Sequence, residues 1–294
     1  MWGEGNAEVI EVARHGAFSV NCVGLERQPF PLSFGVREVD GWWLVSAAAA
    51  QARELVDVLT RAANETVVVA GVETYSFLDA DDQLWSPARI AAEQGVECAV
   101  HRVGVSTTGA NGIGEEFLVM HRDDLPRFLE DWYPQNLVLA GVPEGTGPEQ
   151  LDELAVALDT GDFDVPVLPY VDGARFWYSG HDDCYLAVET NDPALPPALL
   201  GRLLALLAGS TLVGDGEDAT IGIPEPGEAL TRRLLGASPN WAGALGTASE
   251  GVLTVELWAL TESWRLGQEL PGRAGYAATL DLAAGEWRLA VTGA

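Results

Sequence analysis

Leu199, Leu200, Leu203, Leu204, Leu206 and Leu207 all fall within one predicted helix over residues 196–208. They leave it without a polar face. A helix that is apolar on nearly every side must be covered on more than one of them. The segment is therefore expected to be a core element between a sheet and the partner half of a two-part fold. It carries Arg202 and spans fewer residues than the ~20 that a bilayer crossing needs. Membrane insertion is not expected.

The text around this helix repeats an earlier passage. Asp40-Gly41-Trp42-Trp43-Leu44-Val45 aligns with Asp182-Asp183-Cys184-Tyr185-Leu186-Ala187 at an offset of 142. A strand is predicted before each, over residues 32–39 and 174–179; in the first, Leu32, Phe34 and Val36 alternate. Asp40-Gly41 is a hairpin signal, because Gly accepts the positive φ of a primed turn. A helix follows in both places. The first, over residues 47–62, places Ala52, Leu55, Val56 and Leu59 on one face. Next come a Thr-containing apolar strand (66–70 and 210–213), an acidic turn (79–82 and 215–218) and a helix beside a proline (from Ser86-Pro87, and over 226–235).

This order predicts an α+β fold of two similar halves, each containing a β-β-α-β unit, with mainly antiparallel sheets. The halves are placed at residues 1–141 and 148–294, with Val-Pro-Glu-Gly-Thr-Gly (142–147) as the linker. Further strands are expected at 17–23, 42–45, 96–103, 116–121 and 137–140, and Asp123 or Asp124 is expected to cap a short helix reaching Trp132. The C-terminal segment reads as a β-meander with strands at 252–258, 276–282 and 286–291.

Composition excludes several activities. All 16 cationic side chains are Arg, and there is no Lys. A G-x-x-x-x-G-K-[ST] phosphate loop, a Lys Schiff base and the kinase strand Lys are each impossible without that residue. The 44 acidic residues bring the net charge to −28. Nucleic acids and anionic membranes both recruit cations, so neither is an expected partner. A basic protein is, because complementary potentials favour encounter. Cys22, Cys98 and Cys184 are too far apart for a thiolate metal site, and their odd number argues against a disulfide framework. With no secretory signal visible at residues 1–5, a reducing cytoplasm is the expected location.

No constellation reaches a recognised catalytic pattern. His121-Arg122-Asp123-Asp124 and His181-Asp182-Asp183 combine imidazole with carboxylates, but capping and turn formation account for both. Cys98 and His101 are three apart in a predicted strand and would point to opposite faces. Gly109-Ala110-Asn111-Gly112-Ile113-Gly114 has the wrong glycine order for a dinucleotide loop and precedes strand text. Asp79-Ala80-Asp81-Asp82 lacks the Gly and Glu that a calcium loop places at positions six and twelve. No catalytic residue, cofactor or metal is assigned.

The expected function is a non-enzymatic, acidic protein-interaction module binding a basic partner. Bacterial immunity proteins, inhibitors and secretion chaperones exemplify the class. The candidate contact residues are Trp42, Trp43 and Trp177, which could anchor an interface, and Asp79, Asp81, Asp82, Asp182 and Asp183 in the acidic turns. The alternative is an enzyme or small-ligand binder with its site in the cleft between the halves, drawing on His101, His121, His181, Arg122 and Arg175.

Overall fold

A computed structural model describes residues 32–39, 42–49, 58, 60–61, 66–73, 87–102, 116–129, 136–142, 146–150, 174–179, 184–213, 222–237, 243–258 and 274–292. Its strands are β1 (Leu32–Val39), β2 (Trp42–Ala49), β3 (Thr66–Glu73), β4 (Cys98–Arg102), β5 (Glu116–His121), β6 (Asn136–Val142), β7 (Ala174–Ser179), β8 (Cys184–Thr190), β9 (Gly243–Ser249), β10 (Val252–Trp258), β11 (Tyr276–Asp281) and β12 (Glu286–Val291). Its helices are α1 (Pro87–Glu93), α2 (Leu125–Leu129), α3 (Leu195–Val213) and α4 (Glu228–Ala237). The protein is α+β, and its described strands form one sheet in the order β12-β11-β10-β9-β1-β2-β8-β7-β6-β3-β5-β4. Every described pairing is antiparallel.

The hairpin β1–β2 forms because Leu32, Phe34 and Val36 alternate against Ala49, Ala47 and Val45 across the register. Phe34, Val36, Val45 and Ala47 are buried on the same face. Leu32 and Ala174 open β1 and β7, and Trp42 and Cys184 open β2 and β8; both pairs are 142 positions apart. The hairpins meet through β2 and β8, where Val45 opposes Val188 and Ser46 opposes Ala187. β1 and β2 thus lie between β8 and β9, and the sheet draws strands alternately from both sides of residues 142–147.

Beyond the hairpins the two halves differ. Residues 210–213, expected as the strand of the second β-β-α-β unit, are instead the last turn of α3. The Thr211 hydroxyl donates to the Leu207 carbonyl at 2.7 Å, the bond to the preceding turn that a helical threonine can make. Residues 47–49, expected to begin a helix, continue β2, and Ala47 is buried between Phe34 and Leu186 in the register. Residues 58, 60 and 61 of the predicted helix are helical. β9 was not expected at all, because Gly-Ala-Leu-Gly-Thr-Ala-Ser carries little strand propensity.

Helix α3 is 19 residues long, about 28 Å at 1.5 Å per residue. It is long and apolar enough to cross a bilayer, contrary to the expectation from residues 196–208; more than half of that window is buried inside the protein. The sheet covers one side through β9, β10 and β2, and α4 covers another. Leu199, Leu200, Leu203, Leu204 and Leu207 join the main core with Phe34, Val188, Val255 and Leu257. The double coverage demanded by an all-apolar helix is therefore met.

The strands predicted at 17–23, the acidic turns at 79–82, 181–183 and 215–218 and the glycine loop at 109–114 lie outside the described residues.

Candidate functional site

Of the candidate contact residues, Trp42, Trp43 and Trp177 are among the described residues, and they lie on two strands, β2 and β7. Trp43 is half-buried and packs against the main core. Trp42 lies in β2 opposite Val39, and Trp177 lies in β7 opposite Val138 and Ala187. Trp43 is in register with Thr190 and through it with Ala174, two strands away; Trp177 is three residues further along β7. Their backbones are thus ~14 Å apart at ordinary strand spacings. Asp79, Asp81, Asp82, Asp182 and Asp183 lie outside the described residues, as does His181.

The two described histidines, His101 and His121, do not converge. His101 opposes Phe117 in the β4–β5 register, whereas His121 is four residues further along β5. That is ~13 Å at the rise of a strand. Among the described residues no three His, Cys, Asp or Glu side chains could hold a metal together. Cys98 is half-buried on the core side of β4. Burial pushes its thiol pKa up, and the Asp124 carboxylate adds to the rise. That makes it a weaker nucleophile than an ordinary cysteine.

His121 has a structural role. Its Nδ1 accepts a hydrogen bond from the Asp123 N–H at 3.3 Å and caps a 3-10 turn over Arg122–Asp124, which leads into α2. The expected cap by Asp123 or Asp124 is therefore corrected. An imidazole lone pair fills the place that a carboxylate oxygen usually takes at a helix start.

Arg122 is where the structure does build a concavity. A cavity of about 300 Å³ is lined by Thr60, Arg61, Arg122, Asp123, Leu195, Ala198 and Leu199. Its walls come from three distant segments: the helical residues 60–61, the turn after β5 and the start of α3. Asp192 orders that start, since its Oδ1 accepts the Ala194 N–H at 2.9 Å while its own N–H donates to Thr190 Oγ1 at 3.0 Å. Arg61 pairs with Glu225, and Arg202, on the next turn of α3, lies 3.8 Å from the same carboxylate. Arg122 Nε lies 3.5 Å from Asp123 Oδ1.

Of this group, Arg122 was named from the sequence as a candidate binding residue, Asp123 as a cap, and Leu199 and Arg202 as parts of the core helix. Arg61, Arg202 and Glu225 have no local signal, because pairing between residues so far apart in the chain is visible only after folding. No family model, no curated protein and no solved structure matches the chain.

Proposed function

We propose that this protein is a non-enzymatic interaction module, of the immunity, inhibitor or secretion-chaperone type, that holds a basic protein partner in a reducing cytoplasm. The observation that carries the reading is the net charge of −28 on a chain with no Lys. A potential of that size steers and retains a cationic partner. Exposed carboxylates at Glu38, Glu93, Glu97, Glu149, Glu250 and Glu286 distribute it over the described surface. The sheet adds a mode of contact: β4 and β12 end the strand order, and each pairs with one neighbour among the described strands. An extended basic segment could add to such an edge through backbone hydrogen bonds. The spacing of 142 residues between the β1–β2 and β7–β8 hairpins supports the idea of a repeated unit.

Affinity capture at low salt, about 50 mM, with mass-spectrometric identification of the bound proteins, tests the reading. A basic partner is expected whose recovery collapses in about 500 mM salt, where charges more than ~4 Å apart are screened. Asp79→Asn/Asp81→Asn/Asp82→Asn and Asp182→Asn/Asp183→Asn should each weaken capture. An empty low-salt eluate, or a partner retained equally at both salt concentrations, counts against it.

A further inference from the structure

We propose that β12 is a docking edge for an extended segment of a basic protein, one with apolar residues at alternate positions and an Arg or Lys opposite Glu286. This rests on the reading that the partner is a basic protein, and it names the surface and the sequence pattern that such a partner uses.

The backbone of β12 shows which groups are available. The Thr292 N–H donates to the Gly275 carbonyl at 3.0 Å, and Tyr276 opposes Val291. Bonded and non-bonded pairs alternate along an antiparallel ladder. Ala277–Ala290, Thr279–Arg288 and Asp281–Glu286 are therefore the bonded pairs. The N–H and C=O groups of Trp287, Leu289 and Val291 point away from β11, on the side where no described strand follows. No proline or bulge interrupts β12, whose register with β11 is continuous over six residues. A strand added there can bond to all three outward-facing residues.

The side chains set the pattern. Trp287 and Leu289 are half-buried against the main core, on the face of the sheet that α4 packs against. Val291, next along that face, is 58% exposed, the most of any large apolar side chain among the described residues. An added strand extends this face, so its residues opposite Trp287, Leu289 and Val291 gain most from being apolar. The other face of β12 carries Glu286, Arg288 and Ala290, all exposed. There Asp281 and Glu286 stand directly opposite each other, a like-charge pair. Asp281 is held in place, because its Oδ1 accepts the Ala283 and Ala284 N–H groups at 2.9 and 3.0 Å. Arg288 Nη2 lies 3.5 Å from Glu286 Oε2, but a pair so exposed contributes little. A cation on the added strand opposite Glu286 offsets the repulsion from the other side. β4, at the opposite end of the sheet, contains Arg102 and no carboxylate, which disfavours a basic segment there.

Calorimetric and NMR titration of the full chain with a synthetic peptide tests the edge. The peptide acetyl-Val-Thr-Val-Thr-Val-Arg-amide, paired antiparallel, sets its valines opposite Val291, Leu289 and Trp287 and its Arg opposite Glu286. It is expected to saturate one site with a Kd of about 0.1 mM and to shift amide signals in β11 and β12. N-methylation of the valines blocks the N–H groups that face β12 and should abolish binding. N-methylation of the threonines, which face outward, should preserve it. Exchanging the peptide Arg for Glu should weaken binding at least about tenfold, and Glu286→Arg should reverse that preference. Val291→Pro removes an outward N–H without costing a bond to β11, so it should weaken the peptide about tenfold while the thermal midpoint stays near that of the parent chain. A peptide that does not saturate, equal binding of the valine-methylated peptide, shifts centred on β4, or unchanged binding by folded Val291→Pro overturns the proposal. If the peptide fails while low-salt capture still recovers a salt-sensitive basic partner, only the edge is struck. If the peptide binds β12 while capture recovers nothing, the edge stands and the partner reading falls.

Discussion

Gly246 of β9 lies directly against Thr211 of α3. A Cβ placed on Gly246 would overlap the Thr211 hydroxyl and come within 3.0 Å of its Cβ and 3.2 Å of its Cγ2. The absence of a side chain at this one position lets the core helix settle onto the sheet. Gly246→Ala should therefore destabilise the fold by about 1–3 kcal/mol through overpacking. Thr211→Gly carries a cost of its own, about 1 kcal/mol of helix propensity. In its background, however, Gly246→Ala should become nearly neutral, because every clashing atom is gone. Urea unfolding of the two single variants and the double variant measures this coupling. Additive effects would show that the helix and strand do not approach so closely.

The next turn of the chain offers a gain instead of a loss. Ser249 and Val252 pair directly, and Glu250 and Gly251 between them have φ of 50° and 81°. Two consecutive left-handed residues make a type I′ hairpin, the turn that matches strand twist. Glycine adopts that conformation freely, but Glu is strained there by about 1 kcal/mol. Glu250→Asn should raise stability by up to about that amount. Glu250→Gln removes the same charge without the conformational benefit and should change little. Equal gains from both would assign the effect to charge.

These two positions show what the sequence made legible. The strands at 32–39, 116–121, 174–179, 252–258 and 286–291 match the prediction, because alternation or β-rich text marks each one. The stop of α1 also carries a local signal: Gly95, at φ 66°, follows its last turn, and the Val96 N–H returns to the Ala91 carbonyl at 2.8 Å. β9 was invisible because the need for Gly246 comes from Thr211, 35 positions earlier, and not from its own neighbours. The misread end of α3 has the same origin. Residues 210–213 favour a strand locally, yet α3 packs against β9 and β10 and carries its last turn through them. The cavity was illegible for a related reason, since Arg61, Arg122 and Leu195 share no local pattern. Local chemistry named the hairpins, and long-range packing chose the rest.

Trp287 connects the last strand to the segment before α4. Its Nε1–H donates to the Pro224 carbonyl at 2.7 Å, across 63 residues of chain. The indole also packs against the buried group of Ala205, Ala208, Ile223, Leu253 and Leu280. Trp287→Phe keeps most of the packing and loses the hydrogen bond, so it should cost about 1 kcal/mol. Trp287→Ala loses both and should cost about 3 kcal/mol, toward the lower end for a fully buried indole because this one is half-exposed. Hydrogen exchange should show the larger effect in β11 and β12. Equal costs for the two variants would mean that the hydrogen bond, and not the ring, holds the strand.

Cys98 gives the protein a pH dependence of known sign. Its thiol is held above the ordinary 9.0 by burial and by the Asp124 carboxylate. In the unfolded chain the thiol ionises at a lower pH, so between the two values the folded state binds more protons. Stability must then fall as the pH rises through about 9, with no contribution from this group well below that. Cys98→Ala should flatten that part of the pH profile relative to the parent chain. The same shift slows chemistry at the sulfur. At pH 8 the peptide containing Cys98 should be alkylated by iodoacetamide more slowly in the native protein than in urea, since the thiolate is the reactive form. Asp124→Asn removes the second cause while leaving the first, so it should speed native alkylation without reaching the unfolded rate. A native rate equal to the unfolded one would remove both the burial of Cys98 and the argument built on it.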